Sequence, residues 1–451
     1  MGKFFGTDGI RGRFRIEPIT EDFFFKLGHS CASYFHRTYR TDNIRVLVGQ
    51  DTRRSGEVLG KAFAQGILSY PLTEVDNAGV LPTPALCYLT RAQGFNAGAM
   101  ISASHNPYED NGIKIFNHNG LKLTDEEENK IEEILRTSHC EWLPLSPCGR
   151  GLGKGSRAYI DFLKKNFLNL NLKKYKIVLD CAHGATYQVA PAIFKFLGGR
   201  LSILGNLPDG ENINQNCGAL HLENLKSEVL KTASDFGFAF DGDGDRIMCI
   251  DERGNIVDGA DILAVWALFL KRAHKLKKDT VVSTSMCNFG VEKSLKELGI
   301  SMIRTQVGDR YILEKMLKDG YNLGGEPSGH IIHSDILPTG DGLLSALSLC
   351  MIVKESGKTL SENISFLQKF PQVLKSFEVR EKKDFNAIPH YNETLKSCQD
   401  QLGPWGRIVV RYSGTENLAR VMVEGENKKI VEDSAAHLSS VIQKSIGVLS
   451  S

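Results

Sequence analysis

The sequence is poor in net charge and in long apolar runs. Its formal net charge at pH 7 is +2 over 451 residues, so no global field favours nucleic acid or an anionic membrane as a partner. No stretch of about 18 consecutive apolar residues occurs, and we therefore expect no membrane-spanning helix. Any anionic ligand must accordingly be recognised by groups arranged locally.

Paired cysteines and an apolar amino-terminal segment are also missing. The ten cysteines form no C-x-x-C pair, which argues against a zinc site or a disulfide framework and favours reduced thiols. The opening "MGKFFGTDGIRG" has no long apolar segment, so we expect no signal peptide. Together these absences predict a cytoplasmic protein.

A pattern repeated three times indicates several related domains. One hydrophobic core rarely grows beyond about 250–300 residues, so a chain of 451 residues predicts more than one domain. A β-branched run, a small or polar loop and a helix-period segment of about four turns follow one another three times. These segments begin at Ile44, Lys176 and Thr280. Their spacing is too long for a solenoid and predicts three α/β domains.

The chain from about Phe370 onward has a different pattern. The strand-like runs "GRIVVRYSGTE" and "LARVMVEG" flank a turn, and the helical "IVEDSAAHLSSVIQKSI" follows them. This order predicts a smaller α+β domain. The limits that we expect for the four domains are 1–150, 151–253, 254–369 and 370–451.

Three aspartates alternate with glycine in "FAFDGDGDRIMCI", between two apolar runs. On an extended strand end, Asp241, Asp243 and Asp245 share one side, and the glycines let the backbone turn tightly. Carboxylates about 5 Å apart repel by roughly 3 kcal/mol per pair at an effective dielectric of 20. A hard divalent cation, Mg²⁺ or Ca²⁺, would relieve that repulsion.

Three other interpretations of the acidic run stay open from the residues alone. A solvated acidic turn needs no ion. An EF-hand calcium loop would accept Glu252 at its last position, but it requires glycine where Arg246 stands. A phosphatase with an aspartyl nucleophile uses D-x-D after a strand, but typically continues with Thr or Val where this chain has Asp245.

A serine follows another strand-like run in "GAMISASHNPYEDNGIKIF". Pro107 fixes a turn there, so we expect Ser104 at a loop tip. The motif G-x-S-x-G is absent, which excludes a hydrolase elbow, and His105 is poorly placed to act as the base for its neighbour. Lys114 lies between Ile113 and Ile115 and faces away from them. The alternative is a Ser/Asn-rich turn with a surface lysine.

Two further segments carry polar groups that folding does not require. The turn "GGEPSGHI" holds Glu326, Ser328 and His330, which suits a polyol; the alternative is an ordinary polar loop. In "VGDRYILEKMLKDG", Asp309 is predicted to cap an amphipathic helix, and Arg310 lies in its first turn, where an anion is favoured.

The turn "RYSGTEN" lies between the two strand-like runs of the last domain. It combines a guanidinium fork, two hydroxyl groups and backbone N–H groups, which predicts a phosphate cradle. An ordinary hairpin loop is the alternative. The cradle residues are Arg411, Ser413, Gly414 and Thr415.

Taken in order, these motifs resemble the α-D-phosphohexomutase family. The matching stretches are "FGTDGIRG", "SASHNP", "DNGIK", "FDGDGDR", "VGDRY", "GE-x-SGH" and "R-x-SGTE", and the resemblance covers nearly the whole chain. It implies three related α/β domains with mixed sheets and a smaller α+β lid. One departure is Pro327 in the variable position of GE-x-SGH, where it could alter sugar selectivity.

The resemblance implies a role for each quoted residue. Ser104 would carry a phosphoryl group, and Asp241, Asp243 and Asp245 would bind one Mg²⁺ per subunit, which also touches that phosphoserine. The residues implied in proton transfer, phosphate steering or the rim of the cleft are Lys114, Arg11, Arg246, His330 and Arg310. Those implied in gripping the sugar or its phosphate are Glu326, Ser328, Arg411, Ser413, Gly414 and Thr415.

The activity implied is the reversible conversion of glucosamine 6-phosphate to glucosamine 1-phosphate through a 1,6-bisphosphate. Phosphorylation of Ser104 or a sugar 1,6-bisphosphate would activate the enzyme, and the product would supply UDP-N-acetylglucosamine synthesis. The alternative is the same chemistry on mannose and glucose phosphates. We expect a small phosphosugar as the only partner, without nucleic acid or membrane, and a monomer or homodimer.

Overall fold

The computed structural model describes residues 4–6, 8–39, 43–137, 150–151, 155–413 and 417–448. The chain forms two compact units, one of residues 1–286 and 303–364, the other of residues 287–302 and 365–451. Within the described ranges, no helix is both long enough and apolar enough to cross a bilayer. The eight cysteines that the structure describes are all buried.

The first sheet has six strands in the order β1-β5-β4-β2-β3-β6. Strands β4, β2 and β3 are parallel, whereas β5 pairs antiparallel with β4 and β1. Apolar side chains of two helices, α1 and α2, pack with this sheet in one core that includes Phe24, Phe63 and Val46. The elements are β1 (Ile10–Arg13), α1 (Glu21–Tyr39), β2 (Ile44–Gln50), α2 (Arg54–Leu68), β3 (Thr73–Val80), α3 (Thr83–Ala92), β4 (Ala97–Ile101), β5 (Asp110–Asn117), α4 (Asp125–Thr137) and β6 (Arg150–Gly151).

The second sheet has five strands in the order β11-β10-β9-β7-β8. Strands β9, β7 and β8 are parallel, and β10 turns back antiparallel to β9. The central strands β7 and β9 are buried and rich in β-branched or aromatic residues, as a strand covered on both faces requires. The elements are α5 (Gly155–Asn166), β7 (Lys176–Asp180), α6 (Val189–Phe196), β8 (Arg200–Leu204), α7 (Glu223–Thr232), β9 (Phe236–Phe240), β10 (Ile247–Asp251) and β11 (Ile256–Val257).

The third sheet has five strands in the order β13-β12-β14-β15-β16. Strand β14 is parallel to β12 and antiparallel to β15. Helix α8 begins at a capping box formed by Asp258 and Asp261, which satisfies amide groups of its first turn. The elements are α8 (Gly259–Arg272), β12 (Thr280–Thr284), α9 (Phe289–Glu297), β13 (Ser301–Thr305), α10 (Asp309–Asp319), β14 (Leu323–Gly325), β15 (Ile331–His333), β16 (Leu337–Gly340), α11 (Gly342–Ser356) and α12 (Leu360–Ile364).

The carboxyl-terminal region has a three-stranded antiparallel sheet in the order β17-β19-β18, with helices packed on it. The two strands and the helix predicted from its sequence are confirmed. Helix α9 belongs to the same compact unit, because Asn288 at its start bonds to the backbone of Phe370. The elements are β17 (Gln372–Glu378), α13 (Tyr391–Leu402), β18 (Arg407–Tyr412), β19 (Leu418–Glu424) and α14 (Lys428–Ile446).

The predicted threefold repeat is confirmed. Its units are β2–α2, β7–α6 and β12–α9, each a strand, a loop and a helix. The prediction of about four turns per helix holds for α2, with 15 residues, but is wrong for α6 and α9, with 8 and 9. In the second repeat, residues predicted as helix lie instead in the loop before α6. The amide of Ala185 in this loop donates to the carbonyl of Gly242 at 2.8 Å.

Candidate active site

The acidic run forms the connection between β9 and β10, two antiparallel strands of the second sheet. The flanking residues Phe240 and Ile247 are fully buried, so the apolar runs do lead into a core. Because strands rather than helices flank the loop, the EF-hand interpretation is wrong. The connection between these two strands thus places three carboxylates at one end of the sheet.

The three carboxylates are buried together. Asp241, Asp243 and Asp245 are at most 1% exposed, and one oxygen of each lies within 4.8 Å of the others. The solvated-turn interpretation is therefore wrong. Among the described residues, the Oδ1 atoms of Asp243 and Asp245 have no hydrogen-bond partner although they are buried. Unpaired buried acceptors are costly, and an all-oxygen set with spare acceptors suits Mg²⁺.

Lys114 supplies the positive charge nearest to this cluster. It projects from β5 and is 1% exposed, so the surface-lysine interpretation is wrong. Its Nζ donates to Asp243 Oδ2 and Asp245 Oδ2, both at 2.8 Å. Burial alone would lower the pKa of Lys114, but the carboxylates of Asp243 and Asp245 hold it well above its ordinary value. The ammonium group is thus a fixed internal cation.

The aspartates differ in charge environment. Burial raises the pKa of Asp241 well above its ordinary value, and the carboxylates of Asp245 and Asp243 raise it further. Burial alone would also raise the pKa of Asp245, but Lys114 and His330 hold it well below the ordinary value. Of these two carboxylates, Asp241 is therefore the more costly to ionise.

Ser104 lies in the turn after β4 and points at Asp241. Its Oγ donates to Asp241 Oδ2 at 2.5 Å, and its backbone has a φ of 52°. The residue lies in a turn, as predicted, and is fully buried there, because Gly242 of residues 241–246, which we call the metal loop, packs on its carbonyl group. The Nδ1 atom of His105 lies 3.4 Å from Ser104 Oγ, closer than the sequence indicated. Burial and the nearby Arg246 lower the pKa of His105 to about 4.

Glycine at position 242 makes this contact possible. A Cβ there would lie 2.5 Å from the carbonyl oxygen of Ser104, a distance at which the two loops could not stay together. Gly244 has a φ of +71°, a conformation that residues with side chains rarely adopt. The alternating glycines therefore let the acidic loop turn and let it approach the serine loop closely.

Arg11 lies on β1 beside a further carboxylate, Asp8. The guanidinium of Arg11 forms an ion pair with Asp8, and Lys114 Nζ lies 3.4 Å from the same carboxylate. Lys122 also pairs with Asp8. Burial alone would raise the pKa of Asp8, but Lys114, Lys122 and Arg11 together hold it well below its ordinary value.

His330 and Arg246 also contact the carboxylate cluster. His330 Nδ1 lies 3.7 Å from Asp245 Oδ2, and its Nε2 lies 3.2 Å from Asp309 Oδ2. A β-bridge joins the backbones of Arg246 and His330. The amide of Arg246 donates to Asp241 Oδ1 at 3.1 Å, so this residue fastens the acidic loop as well as offsetting its charge.

The start of α10 differs from the prediction. Gly308, not Asp309, is the N-cap, because the Asp309 carboxylate is held in an ion pair with Lys122 at 2.6 Å. Arg310 is buried in the first turn of the helix, where its guanidinium donates to Glu128 at 2.6 and 2.9 Å and to Asp125. The structure therefore places carboxylates, not an open anion site, at Arg310.

The predicted sugar loop connects β14 and β15. Glu326 is 8% exposed and accepts a hydrogen bond from the amide of Gly308 at 3.2 Å. Ser328 is exposed, and its Oγ lies 3.5 Å from Glu326 Oε2, at the outer limit of a hydrogen bond. The hydroxyl of Ser328 is thus lightly held, which suits a group that binds a ligand.

The predicted phosphate cradle belongs to the second compact unit. Arg411 is exposed near the end of β18, and Ser413 is buried with its amide donating to the carbonyl of Leu418 at 2.8 Å. Gly414 and Thr415 lie outside the described residues. The part that is described is the end of an antiparallel hairpin, as the sequence predicts.

Several groups at or near the cluster are not among the residues predicted from the sequence. Thr83 Oγ1 donates to Asp243 Oδ2 at 2.5 Å from the start of α3, and Lys122 completes the charge balance around Asp8 and Asp309. Asp8 lies inside the quoted "FGTDGIRG", so its motif could have indicated it. Thr83 and Lys122 belong to no recognised motif and could be found only through the fold.

Four family models match the chain. They describe domains of phosphoglucomutase/phosphomannomutase: domain I matches residues 2–140, domain II residues 157–254, domain III residues 258–370 and the C-terminal domain residues 374–440. Together they span most of the sequence, in the order found here for the sheets.

Relatives and solved structures agree with these matches. Phosphoglucosamine mutases from Clostridium novyi and Caldicellulosiruptor bescii are 46% and 44% identical to the chain, over 98% of it and 99% of their own length. A phosphoglucomutase/phosphomannomutase family protein from Burkholderia thailandensis superimposes with a TM-score of 0.78 at 20% identity, covering 98% of this chain and 99% of that one.

A second solved structure carries ligands. It is the N-acetylphosphoglucosamine mutase of Aspergillus fumigatus in complex with GlcNAc-6P and magnesium, which superimposes with a TM-score of 0.66 at 17% identity. The match covers 98% of this chain and 95% of that one. At such identities the two structures show a shared fold.

Proposed function

The chain belongs to the phosphoglucomutase/phosphomannomutase family, which makes it a phosphohexomutase of the isomerase class, and we propose that it interconverts glucosamine 6-phosphate and glucosamine 1-phosphate through a phosphoserine at Ser104. The observation that carries this proposal is the 2.5 Å hydrogen bond from Ser104 Oγ to Asp241. It sets a hydroxyl group against a carboxylate cluster with spare acceptor atoms, the arrangement that a phosphoryl group and a divalent cation require.

The proposed cation is Mg²⁺, one per subunit, held by Asp241, Asp243, Asp245 and the phosphoserine. When bound, it neutralises negative charge on the phosphoryl group, the main requirement of such transfers. The Oδ1 atoms of Asp243 and Asp245, which accept no hydrogen bond from the described residues, support this assignment. The magnesium complex of the Aspergillus fumigatus relative is consistent with it.

The proposed reaction moves one phosphoryl group in each direction. The free hydroxyl of the sugar phosphate attacks the phosphorus on Ser104; a new O–P bond forms, the Ser104 O–P bond breaks, and Ser104 Oγ takes up a proton. The sugar hydroxyl loses its proton to a nearby base, for which His330 is the candidate. Lys114, which its carboxylate partners keep protonated, is the candidate for the proton transfer to Ser104 Oγ. The resulting 1,6-bisphosphate turns over and returns its other phosphoryl group to Ser104.

Further residues are proposed to recognise the substrate. We assign Glu326 and Ser328 to the sugar hydroxyls, and Arg11 and Arg246 to the transferred phosphoryl group. Arg310 stays assigned to the rim of the cleft, although its guanidinium pairs with Glu128 and Asp125. The remaining phosphate would be gripped by Arg411, Ser413, Gly414 and Thr415.

Replacing the serine tests the proposal. Ser104→Ala removes the only oxygen proposed to carry the phosphoryl group, so we expect turnover of glucosamine 6-phosphate to fall to background. Ser202→Ala in β8 is the matched control and should keep full activity. Intact mass after incubation with glucose 1,6-bisphosphate should show one phosphoryl group on the wild type and none on Ser104→Ala. Substantial activity in Ser104→Ala would refute the mechanism.

The same phosphorylated sample separates this mechanism from an aspartyl-phosphate phosphatase. Hydroxylamine cleaves an acyl phosphate, whereas a phosphoserine survives it. Loss of the added mass on hydroxylamine treatment would assign the covalent intermediate to an aspartate instead of Ser104.

The sugar is tested by comparing kcat/KM on the 6-phosphates of glucosamine, glucose and mannose with the phosphorylated enzyme. We expect glucosamine 6-phosphate to be preferred, as the names of the close relatives indicate. A larger kcat/KM on mannose or glucose phosphate would instead assign phosphomannomutase/phosphoglucomutase activity.

The setting of the reaction is part of the proposal. We place the enzyme in the cytoplasm as a monomer or homodimer that takes a small phosphosugar and supplies UDP-N-acetylglucosamine synthesis. Its four functional domains would be residues 1–150, 151–253, 254–369 and 370–451. Activation would come from phosphorylation of Ser104 or from a sugar 1,6-bisphosphate.

A further inference from the structure

The backbone of Ser104 is held in a conformation that serine seldom adopts. Its φ of 52° lies in the left-handed region, which is unfavourable for residues with a side chain unless the surroundings impose it. In this conformation the strand β4 has ended and Oγ points at Asp241. Something in the structure must therefore keep the turn from relaxing.

Arg53, in the first domain, donates hydrogen bonds to the turn that holds Ser104. Its side chain is fully buried, and its Nη2 donates to the carbonyl of Ser104 at 3.2 Å and to that of Asn106 at 2.5 Å. Asp51 neutralises Arg53 and accepts a hydrogen bond from the hydroxyl of Ser102 at 2.5 Å. The Ser102 hydroxyl in turn accepts from the amide of Ser104 at 2.8 Å, so both backbone groups of Ser104 are bound.

Asn214, in the second domain, donates hydrogen bonds to the same two carbonyl groups. Its Nδ2 donates to the carbonyls of Ser104 and Asn106, each at 2.9 Å. Two carbonyl oxygens can only accept, so the amide orientation of Asn214 is fixed by its partners. The backbone of Asn214 is anchored to Ala182, which belongs to the loop after β7.

We propose that Arg53 and Asn214 are positioning residues that clamp the carbonyls of Ser104 and Asn106 and so hold the phosphate-carrying hydroxyl in line with the metal loop. The proposal rests on the proposed role of Ser104. Four hydrogen bonds from two domains converge on one turn, and the close packing of Gly242 on the same carbonyl leaves that turn little room to move. The clamp does not touch the substrate; it sets the geometry of the transfer.

The test is Asn214→Asp, which keeps the shape of the side chain but replaces both donors by an acceptor that faces two carbonyl oxygens. A misplacement of the reacting group by about 1 Å costs roughly 10²-fold in rate, so we expect kcat to fall by about that factor with KM nearly unchanged. Asn216→Asp is the matched control, since Asn216 is exposed, has a φ of 53° and lies in the same loop. It should retain wild-type kcat.

Hydrogen exchange measures the clamp without using activity. Peptides that cover residues 102–110 should take up deuterium faster in Asn214→Asp than in the wild type or in Asn216→Asp. A merely stabilising role for Asn214 would lower the melting temperature while kcat of the folded enzyme and local exchange stayed unchanged, and that result would overturn the proposal. If Asn214→Asp does not fold, Asn214→Ala, which removes the donors without introducing repulsion, decides by the same two measurements.

The two proposals fail in different ways. If the wild type shows no mutase activity, the proposed function fails, yet the exchange comparison still decides whether Asn214 holds the turn. If the wild type is active and Asn214→Asp matches it in kcat and in exchange, the clamp is refuted and the function stands.

Discussion

The connections from β9 to β10 and from β14 to β15 occupy the same place in two related sheets. Each leaves a strand that is parallel to its inner neighbour and enters one that runs antiparallel. The first connection holds three buried carboxylates bound by groups from elsewhere in the fold. The second keeps Ser328 exposed, with one hydrogen bond at 3.5 Å.

The two hairpins share a topology but differ in how firmly the protein holds their polar groups. In the metal loop, hydrogen bonds from Thr83 and Lys114 and the packing of the glycines hold the carboxylates in place before any ligand arrives, which is what electrostatic stabilisation of a phosphoryl group requires. In the sugar loop, a lightly held hydroxyl can exchange its internal hydrogen bond for one to a ligand. The connection between β4 and β5 in the first sheet combines both patterns, since Ser104 is buried whereas Pro107 and Tyr108 are exposed.

The largest effect is expected where the metal loop loses a charge. Asp243→Asn keeps the side-chain shape but removes one proposed Mg²⁺ ligand and a partner of Lys114. Metal stabilisation is worth several kcal/mol, so kcat/KM should fall about 10³-fold and the Mg²⁺ concentration needed for activity should rise. Steady-state kinetics across a Mg²⁺ titration measure both.

The control for this change lies at the far end of the same hairpin. Asp251 is buried and accepts hydrogen bonds from the amides of Arg253 and Asn255. Asp251→Asn should lower the melting temperature while kcat/KM stays near that of the wild type. Equal losses of activity in the two variants would show that burial, not metal binding, explains the effect of Asp243→Asn.

The next effect is on stability. Lys114→Met removes the internal cation and leaves Asp243 and Asp245 buried without it, which should cost about 3–5 kcal/mol in unfolding free energy without Mg²⁺. Added Mg²⁺ should restore part of the loss because it replaces the missing charge. Thermal denaturation with and without Mg²⁺ checks this. Lys130→Met, at an exposed pair with Glu126, is the control and should change nothing measurable.

A smaller change is expected in the sugar loop. Ser328→Ala removes an exposed hydroxyl that we assign to the substrate, so KM for glucosamine 6-phosphate should rise about 3- to 10-fold with little change in kcat. Ser334→Ala, just after β15, is the control and should leave KM unchanged. A large fall in kcat for Ser328→Ala would mean that both loops act in the chemical step and would break the contrast between them.

The smallest effect concerns Pro327. Its carbonyl accepts a hydrogen bond from the amide of Gly259 at 3.1 Å, so the backbone at this position is anchored whichever residue it carries. Pro327→Ala should therefore change the ratio of kcat/KM for glucosamine and glucose 6-phosphates by less than about 3-fold. A larger shift would identify Pro327 as a determinant of sugar selectivity.

The sequence could predict what depends on spacing along the chain. Alternating aspartates between apolar runs indicated a buried cation site, and the repeated strand–loop–helix pattern indicated three related domains. Lys114 between two isoleucines was correctly placed on the face opposite to them. These features follow from the period of a strand and from the cost of burying charge, both of which act locally.

Contacts between distant parts of the chain could not be predicted. Asp309 lost its role as a helix cap because it pairs with Lys122, which is 187 residues away. Arg310 found partners on α4, and Thr83 reached Asp243 from α3. Helix α6 is shorter than predicted because the preceding loop is tied to the metal loop. Each of these outcomes depends on how the sheets are brought together, which no local pattern encodes.

Helix α9 has a consequence for the order in which the protein can form. It is translated well before residues 365–451, yet it belongs to the compact unit that those residues complete. Residues at the start of α9 form hydrogen bonds with Phe370 and Glu424. Because ribosomes add about 5–20 residues per second, these partners are synthesised several seconds after α9. The last unit is thus not a module that a gene fusion could exchange at residue 370. A transplanted carboxyl-terminal region would need residues 287–302 as well.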